Sequence, residues 1–408
     1  MSAVGIIGFI CAAGALLATL LPFSPLTIDL VNLTRERQIF IHQRRKQFWG
    51  FAAICSIVAL VSALVAVRNG QPHLLYAMVA FSAMTAMMFW TGYVPIVMAP
   101  PGAAEHLRGD AAAKVIDDDE VILGVSVGDV AVAYRRDQIA RPHYFHDQVG
   151  ERDLMISYCI LCNSATAFEP VLNGTPLSLE CVTAYNNNII YYDAPSGNYI
   201  QQLSAEVIAG PALGQNLKMY PVVMARWEDW LTLYPQTTLY DSPPREFRDR
   251  LVALMLQLMI PISRLSGRTA PWHRVRGAID KRLPAMAFVV GVDIKGEAVG
   301  YPLKQDTADG VINDQVGGDS IVVMRDREHD VAAVFSRQVA GQLLEFDAVE
   351  AGPGIAADRG TGTRWDATGL AVEGSLAGER LDAVPHFNKL FWFSWALFKP
   401  STRLYAAA

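Results

Sequence analysis

The sequence predicts N-terminal transmembrane α-helices followed by a mainly β (α+β) domain built from two tandem copies of one unit. Three observations carry this reading. Three long apolar runs before residue 102 hold no charge, alternating apolar stretches with turn residues dominate after residue 115, and a set of motifs recurs there in one order at nearly constant spacing.

The membrane region is predicted over residues 1–101, with about three transmembrane helices. The chain has 408 residues and is 52% hydrophobic, above the roughly 45–50% of an ordinary soluble domain. The excess sits in Ala3 to Phe23, Trp49 to Val67 and Leu74 to Pro100, each long enough to span hydrocarbon as a helix. The start, MSAVGIIGF, lacks the basic n-region of a cleaved signal, so the first run reads as a true span. Trp90, Tyr93, Pro95 and Pro100 close the third run with interface and breaker residues. Arg35, Arg37, Arg44, Arg45 and Lys46 lie between the first two runs, against only Arg68 between the second and third. The positive-inside rule puts the first loop in the cytoplasm. Three spans then put everything after residue 101 there too.

The first β-rich copy is read over 116–240 and the second over 286–405. VILGVSVGDVAVAY from Val121 and FVVGVDIKGEAVGYPL from Phe288 are both alternating runs broken by a turn, Gly128-Asp129 and Lys295-Gly296. Asp147-Gln148-Val149-Gly150 then answers Asp314-Gln315-Val316-Gly317, Phe168 answers Phe335, and Gly174 answers Gly341. Asp193 with Ser196-Gly197 matches Asp358 with Thr361-Gly362, and Gly210 and Gly214 match Gly374 and Gly378. Trp227-x-x-Trp230 before Tyr240 matches Trp392-x-x-Trp395 before Tyr405. Asp147 and Asp314 read as turn formers, as do Asp193 and Asp358. The connector, 241–285, holds nine Lys and Arg against four acids around LVALMLQLMIPI, Leu251 to Ile262. That run is too short to span and suits a helix lying on anionic headgroups, or a core helix between the copies.

Net charge is −6 with no long basic run in the β region, so nucleic acid is not an indicated partner. Five cysteines do not make a disulfide scaffold. No Walker loop, dinucleotide fingerprint, nucleophile elbow or zincin helix is present, and no catalytic residue is assigned. Cys11 and Cys55 fall in apolar runs as packing residues.

Chemistry, if any, falls to Cys159 and Cys162 in ISYCILCNSATAFEP. Asn163 to Glu169 read as a strand, so the helix N-terminus that activates a thioredoxin-type thiol is missing. A reversible disulfide stays open, as does a metal site completed by His143, His146 or Cys181, whose soft donors favour copper(I) or zinc. At the equivalent offset the second copy has Asp326 and His329, so the unit does not require the thiols.

The order YCxLC, a TAF strand, Asn188 to Gly197, Glu206 to Gly214 and the W-x-x-W helix resembles a bacterial domain family of unknown function with a YCPLC-type signature, duplicated here. Ile160 replaces its proline, Asn163-Ser164 its Gly-Thr, and Ile200 its usual tryptophan, which Trp365 keeps. The resemblance implies no activity. It implies an exported domain, opposite to the charge count. The expectation is a membrane-anchored protein with a thiol-based metal-binding or redox site, the lipid bilayer as its first partner. The alternative is a non-enzymatic binding or assembly module of a membrane complex.

Overall fold

The computed structural model describes residues 3–20, 33–92, 104–243, 274–303, 310–349 and 354–406, with isolated positions between them. Four helices come first: α1 (Ala3–Leu20), α2 (Arg35–Gln43), α3 (Arg45–Arg68) and α4 (His73–Gly92). Among the described residues one helix, Arg45–Arg68, is long and apolar enough to cross a bilayer; Ala3–Thr19 and Leu75–Met87 are shorter apolar stretches. The coarser expectation of N-terminal helices holds.

The bundle is packed with small residues inside and large ones outside. Ala52, Ala59, Ala63 and Ala66 of α3 are buried while Ile54, Ile57, Val61 and Leu64 are exposed. Gly8 of α1 lies so close to Met78 and Ser62 that a Cβ there would collide with both. A water-soluble bundle has the reverse pattern.

The basic loop holds a helix that the sequence pattern does not reveal. Thr34 caps α2 by accepting the Arg37 amide (3.3 Å). Ile39 of α2 is buried with Val182, Ile190, Tyr199 and Ile208 of the β region. His42 Nδ1 meets the Tyr199 hydroxyl at 2.8 Å, Thr183 donates to Gln38 (3.1 Å), and the Arg45 guanidinium lies 5.4 Å from the Tyr192 ring centre. The helical region and the β region therefore share a packed contact.

The first β half runs β1 (Val121–Val127), β2 (Val130–Arg135), β3 (Tyr144–Val149), β4 (Arg152–Cys159), β5 (Ser164–Phe168), β6 (Leu179–Tyr185), β7 (Asn188–Asp193), β8 (Asn198–Gln201), β9 (Glu206–Ala209), β10 (Val223–Arg226), helix α5 (Trp227–Leu233) and β11 (Thr238–Asp241). The second runs β12 (Phe288–Ile294), β13 (Glu297–Pro302), β14 (Val311–Val316), β15 (Asp319–Asp326), β16 (Val331–Ser336), β17 (Phe346–Ala348), β18 (Ala356–Asp358), β19 (Arg364–Trp365), β20 (Ala371–Glu373), β21 (Phe387–Phe391), helix α6 (Trp392–Phe398) and β22 (Arg403–Leu404).

One sheet contains β11-β2-β1-β10 in the first half, with Glu105–Leu107 added as an edge strand on β11, and has the order β22-β13-β12-β21 in the second. In each the closing strand joins in parallel. A second contains β5-β4-β3 and its counterpart β16-β15-β14; a third contains β9-β8-β7-β6 and β20-β19-β18-β17.

Local chemistry repeats with the topology. Gly124 and Gly291 are the positions where the Trp230 and Trp395 rings press on the sheet, and a Cβ at either would collide with the indole. The indole N–H groups donate to Thr237 (2.9 Å) and Thr402 (2.8 Å). Asp147 and Asp314 are strand residues, not turn formers: they accept the Tyr134 and Tyr301 hydroxyls, both at 2.6 Å. Asp193 and Asp358 do shape turns, accepting the amides of Ser196 (3.0 Å) and Thr361 (2.6 Å). Apart from Leu254, the run Leu251 to Ile262 lies outside the described residues.

Candidate thiol site

Cys159 ends β4 and pairs across the hairpin with Ser164, the first residue of β5; Ile160 to Asn163 make the turn, with Asn163 left-handed (φ 54°). The pair is followed by a strand and not a helix, as the sequence implied. Both sulfurs are 0% exposed and neither is in a disulfide. The turn is clasped by the second half: the Phe391 amide donates to the Cys162 carbonyl (3.1 Å) and the Asn163 side chain to the Lys389 carbonyl (2.6 Å).

Around Cys162 the core turns polar. Its sulfur lies 3.0 Å from Ser164 Oγ and receives Asn188 Nδ2 at 3.3 Å. The Asn188 amide is fixed from behind, because its Oδ1 accepts Gln201 Nε2 (2.6 Å) and the Leu203 amide (3.0 Å), which leaves the NH2 facing sulfur. Gln202 Oε1 accepts both Ser164 (2.7 Å) and Asn188 (2.6 Å), and Gln202 Nε2 donates to Thr166 (3.1 Å). Ser157 donates to the Tyr191 hydroxyl at 2.6 Å, whose own proton goes to the His143 carbonyl.

This shell sets the two thiols apart. Burial pushes Cys162 up, but hydrogen bonds from Cys159, Ser164 and Asn188 outweigh it and hold the thiol below its usual range. Cys159, whose sulfur meets the Asn187 carbonyl at 3.3 Å, is pushed up by burial and by the neighbouring Cys162. The Ser164 hydroxyl can accept from a Cys162 thiol while donating to Gln202, or turn to a thiolate while Asn188 keeps Gln202 satisfied. Both protonation states fit the same heavy atoms.

The remaining predicted ligands do not join the pair. His143 is buried behind the hairpin with φ 78°; its carbonyl accepts the Tyr158 amide (2.9 Å) and the Tyr191 hydroxyl (3.3 Å). Burial lowers its imidazole to about 4. His146 lies further along β3 opposite Met155, exposed, its ring edge against Tyr144. Cys181, on β6 opposite Tyr191, is in the same core as the pair, its thiol raised by burial. Among the described residues no three His, Cys, Asp or Glu side chains converge as a metal donor set. The four-residue set Cys159, Cys162, His143 and His146 is therefore not gathered: one imidazole sits in a turn held by its main chain, the other is exposed further along β3.

Ser157, Gln201 and Gln202 escape a reading of motifs alone, and Ser164, Thr166 and Asn188 fall in motifs without their role being visible. Their signal is polarity at buried positions in or beside strands. Comparing the halves exposes it: at the registers of Ser157, Ser164, Thr166 and Gln202 the second half has Met324, Val331, Ala333 and Ala367.

No curated protein and no solved structure matches the chain. A family model matches residues 94–402, from the end of the third apolar run almost to the end of the second β half. The chain belongs to the family described as Protein of unknown function (DUF3179).

Proposed function

We propose that this chain is a membrane-anchored thiol protein in which Cys159 and Cys162 form a redox couple, with Cys162 the nucleophile. The observation that carries this is the shell of fixed donors on one sulfur of the pair, which favours its thiolate. Cys162 thiolate attacks one sulfur of a small disulfide and displaces the first small thiolate. Cys159 then loses its proton, attacks the Cys162 sulfur and displaces the second. One disulfide and two protein thiols become one protein disulfide and two small thiols. Full burial admits a small co-reactant more readily than a protein. The test is to equilibrate the full chain in detergent with glutathione buffers of graded poise, then alkylate and map by mass. A Cys159–Cys162 disulfide is expected at oxidising poise; two free thiols at every poise would overturn the reading, and copper(I) or zinc bound in proportion to the pair would replace it with metal binding.

One observation favours the second reading, a non-enzymatic assembly module: both sulfurs are sealed where the halves clasp. Under it, a Cys159→Ser/Cys162→Ser chain keeps every membrane partner of the wild type.

The β region is proposed to be two copies of one unit, supported by the shared sheet orders, the indole on glycine and the tyrosine on aspartate in each half. The helical region is proposed to cross the bilayer three times. Inside-out packing supports lipid around it. At 24 residues α3 is about 36 Å long, enough for one crossing. Because α2 before it and the β region after α4 are in contact, α4 has to bring the chain back. The basic loop and the β region then share one face, the cytoplasmic one by charge. A reporter fused after Ala408 that is active only outside the cytoplasm would contradict this.

A further inference from the structure

Residues of both β halves line a cleft of about 260 Å³. We infer that it binds a small apolar amphoteric acid, a free amino acid such as leucine or phenylalanine being the simplest case. The volume is just below the range of drug-sized ligand pockets, about 300 to 1,000 Å³, and suits a smaller molecule.

Its lining comes from both halves and mixes apolar side chains, among them Trp230 and Leu233 of α5 and Phe335 of β16, with polar ones. Besides Ser126, Tyr234 and Thr368, three polar side chains of the lining, His386, Arg380 and Asp382, define the ligand. His386 is 4% exposed, and its Nδ1 lies 2.8 Å from the Val384 carbonyl, which can only accept. Nδ1 therefore carries the proton and Nε2 is left as a buried acceptor that no donor among the described residues reaches, with the Ala332 carbonyl the other backbone oxygen beside the ring. A buried acceptor in that state calls for a ligand N–H or O–H. Arg380 places one guanidinium nitrogen on Thr368, at 3.4 Å from its carbonyl and from its hydroxyl. No carboxylate among the described residues pairs with it, so the rest of its fork is open to a ligand carboxylate. Asp382 on the same rim admits an ammonium and repels a multiply charged anion such as phosphate. One carboxylate, one donor and an apolar body satisfy all three.

Equilibrium dialysis of the full chain in detergent tests this, using labelled leucine and phenylalanine, with 4-methylpentanoate, 3-methylbutylamine and inorganic phosphate as comparators. One site per chain is expected for at least one amino acid, with both single-charge comparators weaker by about tenfold. Arg380→Gln, an exposed position, should weaken binding by about tenfold. Ala383→Trp, also exposed and at the mouth, should abolish it by filling the cleft. No binding of either amino acid at millimolar concentration, phosphate binding as tight, or full binding in Ala383→Trp would each overturn the inference. Cys159→Ser/Cys162→Ser should bind as the wild type, so this result and that of the thiol proposal fail independently.

Discussion

The hairpin β4–β5 and its counterpart β15–β16 have the same register, yet one tip carries two buried thiols and the other a charged pair. In the second, His329 Nδ1 meets Asp326 at 2.7 Å, and the His329 amide donates to the same carboxylate at 3.1 Å. Each tip leans on the other half. The thiol turn holds β21, while Val331 packs with Ala225, Trp227 and Trp230. What differs is the lining behind the tip: Ser157, Ser164, Thr166 and Gln202 in the first half correspond to Met324, Val331, Ala333 and Ala367 in the second. A fold that closes equally well over methyl groups has no structural need of a buried polar network, since burying one without perfect pairing costs stability. The polar lining goes with the half that carries the thiols, and Ser164 connects it to Cys162.

The largest effects test what the halves share. Trp230→Ala and Trp395→Ala each remove a fully buried indole from a glycine seat, and each should cost about 3–5 kcal/mol in chemical denaturation. Similar losses support a common framework; a loss confined to one half breaks the comparison. Next comes what they do not share. Gln202→Leu leaves Ser164, Thr166 and Asn188 short of partners and should cost about 1–3 kcal/mol. It should also raise the Cys162 thiol, read as slower alkylation at neutral pH. A stability loss without that slowing would mean the network serves packing alone.

The smallest effect belongs to the charged tip. Burial works against His329, but its bond to Asp326 and the charges of Asp326 and Asp229 outweigh this and raise it above 6.5. A raised folded value means the contribution is complete below the unfolded value and is lost as pH rises through the folded one. His329→Gln should flatten that slope in pH-dependent unfolding, and an unchanged slope would remove His329 as its source.

The turns and short helices were legible because they are local: turn pairs such as Lys295-Gly296, with both residues at positive φ, and the Trp-x-x-Trp helices arise from adjacent residues. Asp147 and Asp314 were misread because their tyrosine partners lie thirteen residues upstream on a neighbouring strand. The docking of α2 was not legible at all. Its Ile39 and His42 meet residues more than a hundred positions away, and nothing in RERQIFIHQ names that partner. The thiols were legible as a pair, but their shell was not, because single polar residues inside apolar strands resemble ordinary alternation.

Thiolate ultraviolet absorbance, titrated in the wild type, Cys159→Ser and Cys162→Ser chains, tests the central claim most directly. The account predicts one thiol titrating below the usual cysteine range in the wild type and none there in Cys162→Ser. A low-titrating thiol that survives Cys162→Ser, or no such thiol in the wild type, would contradict it.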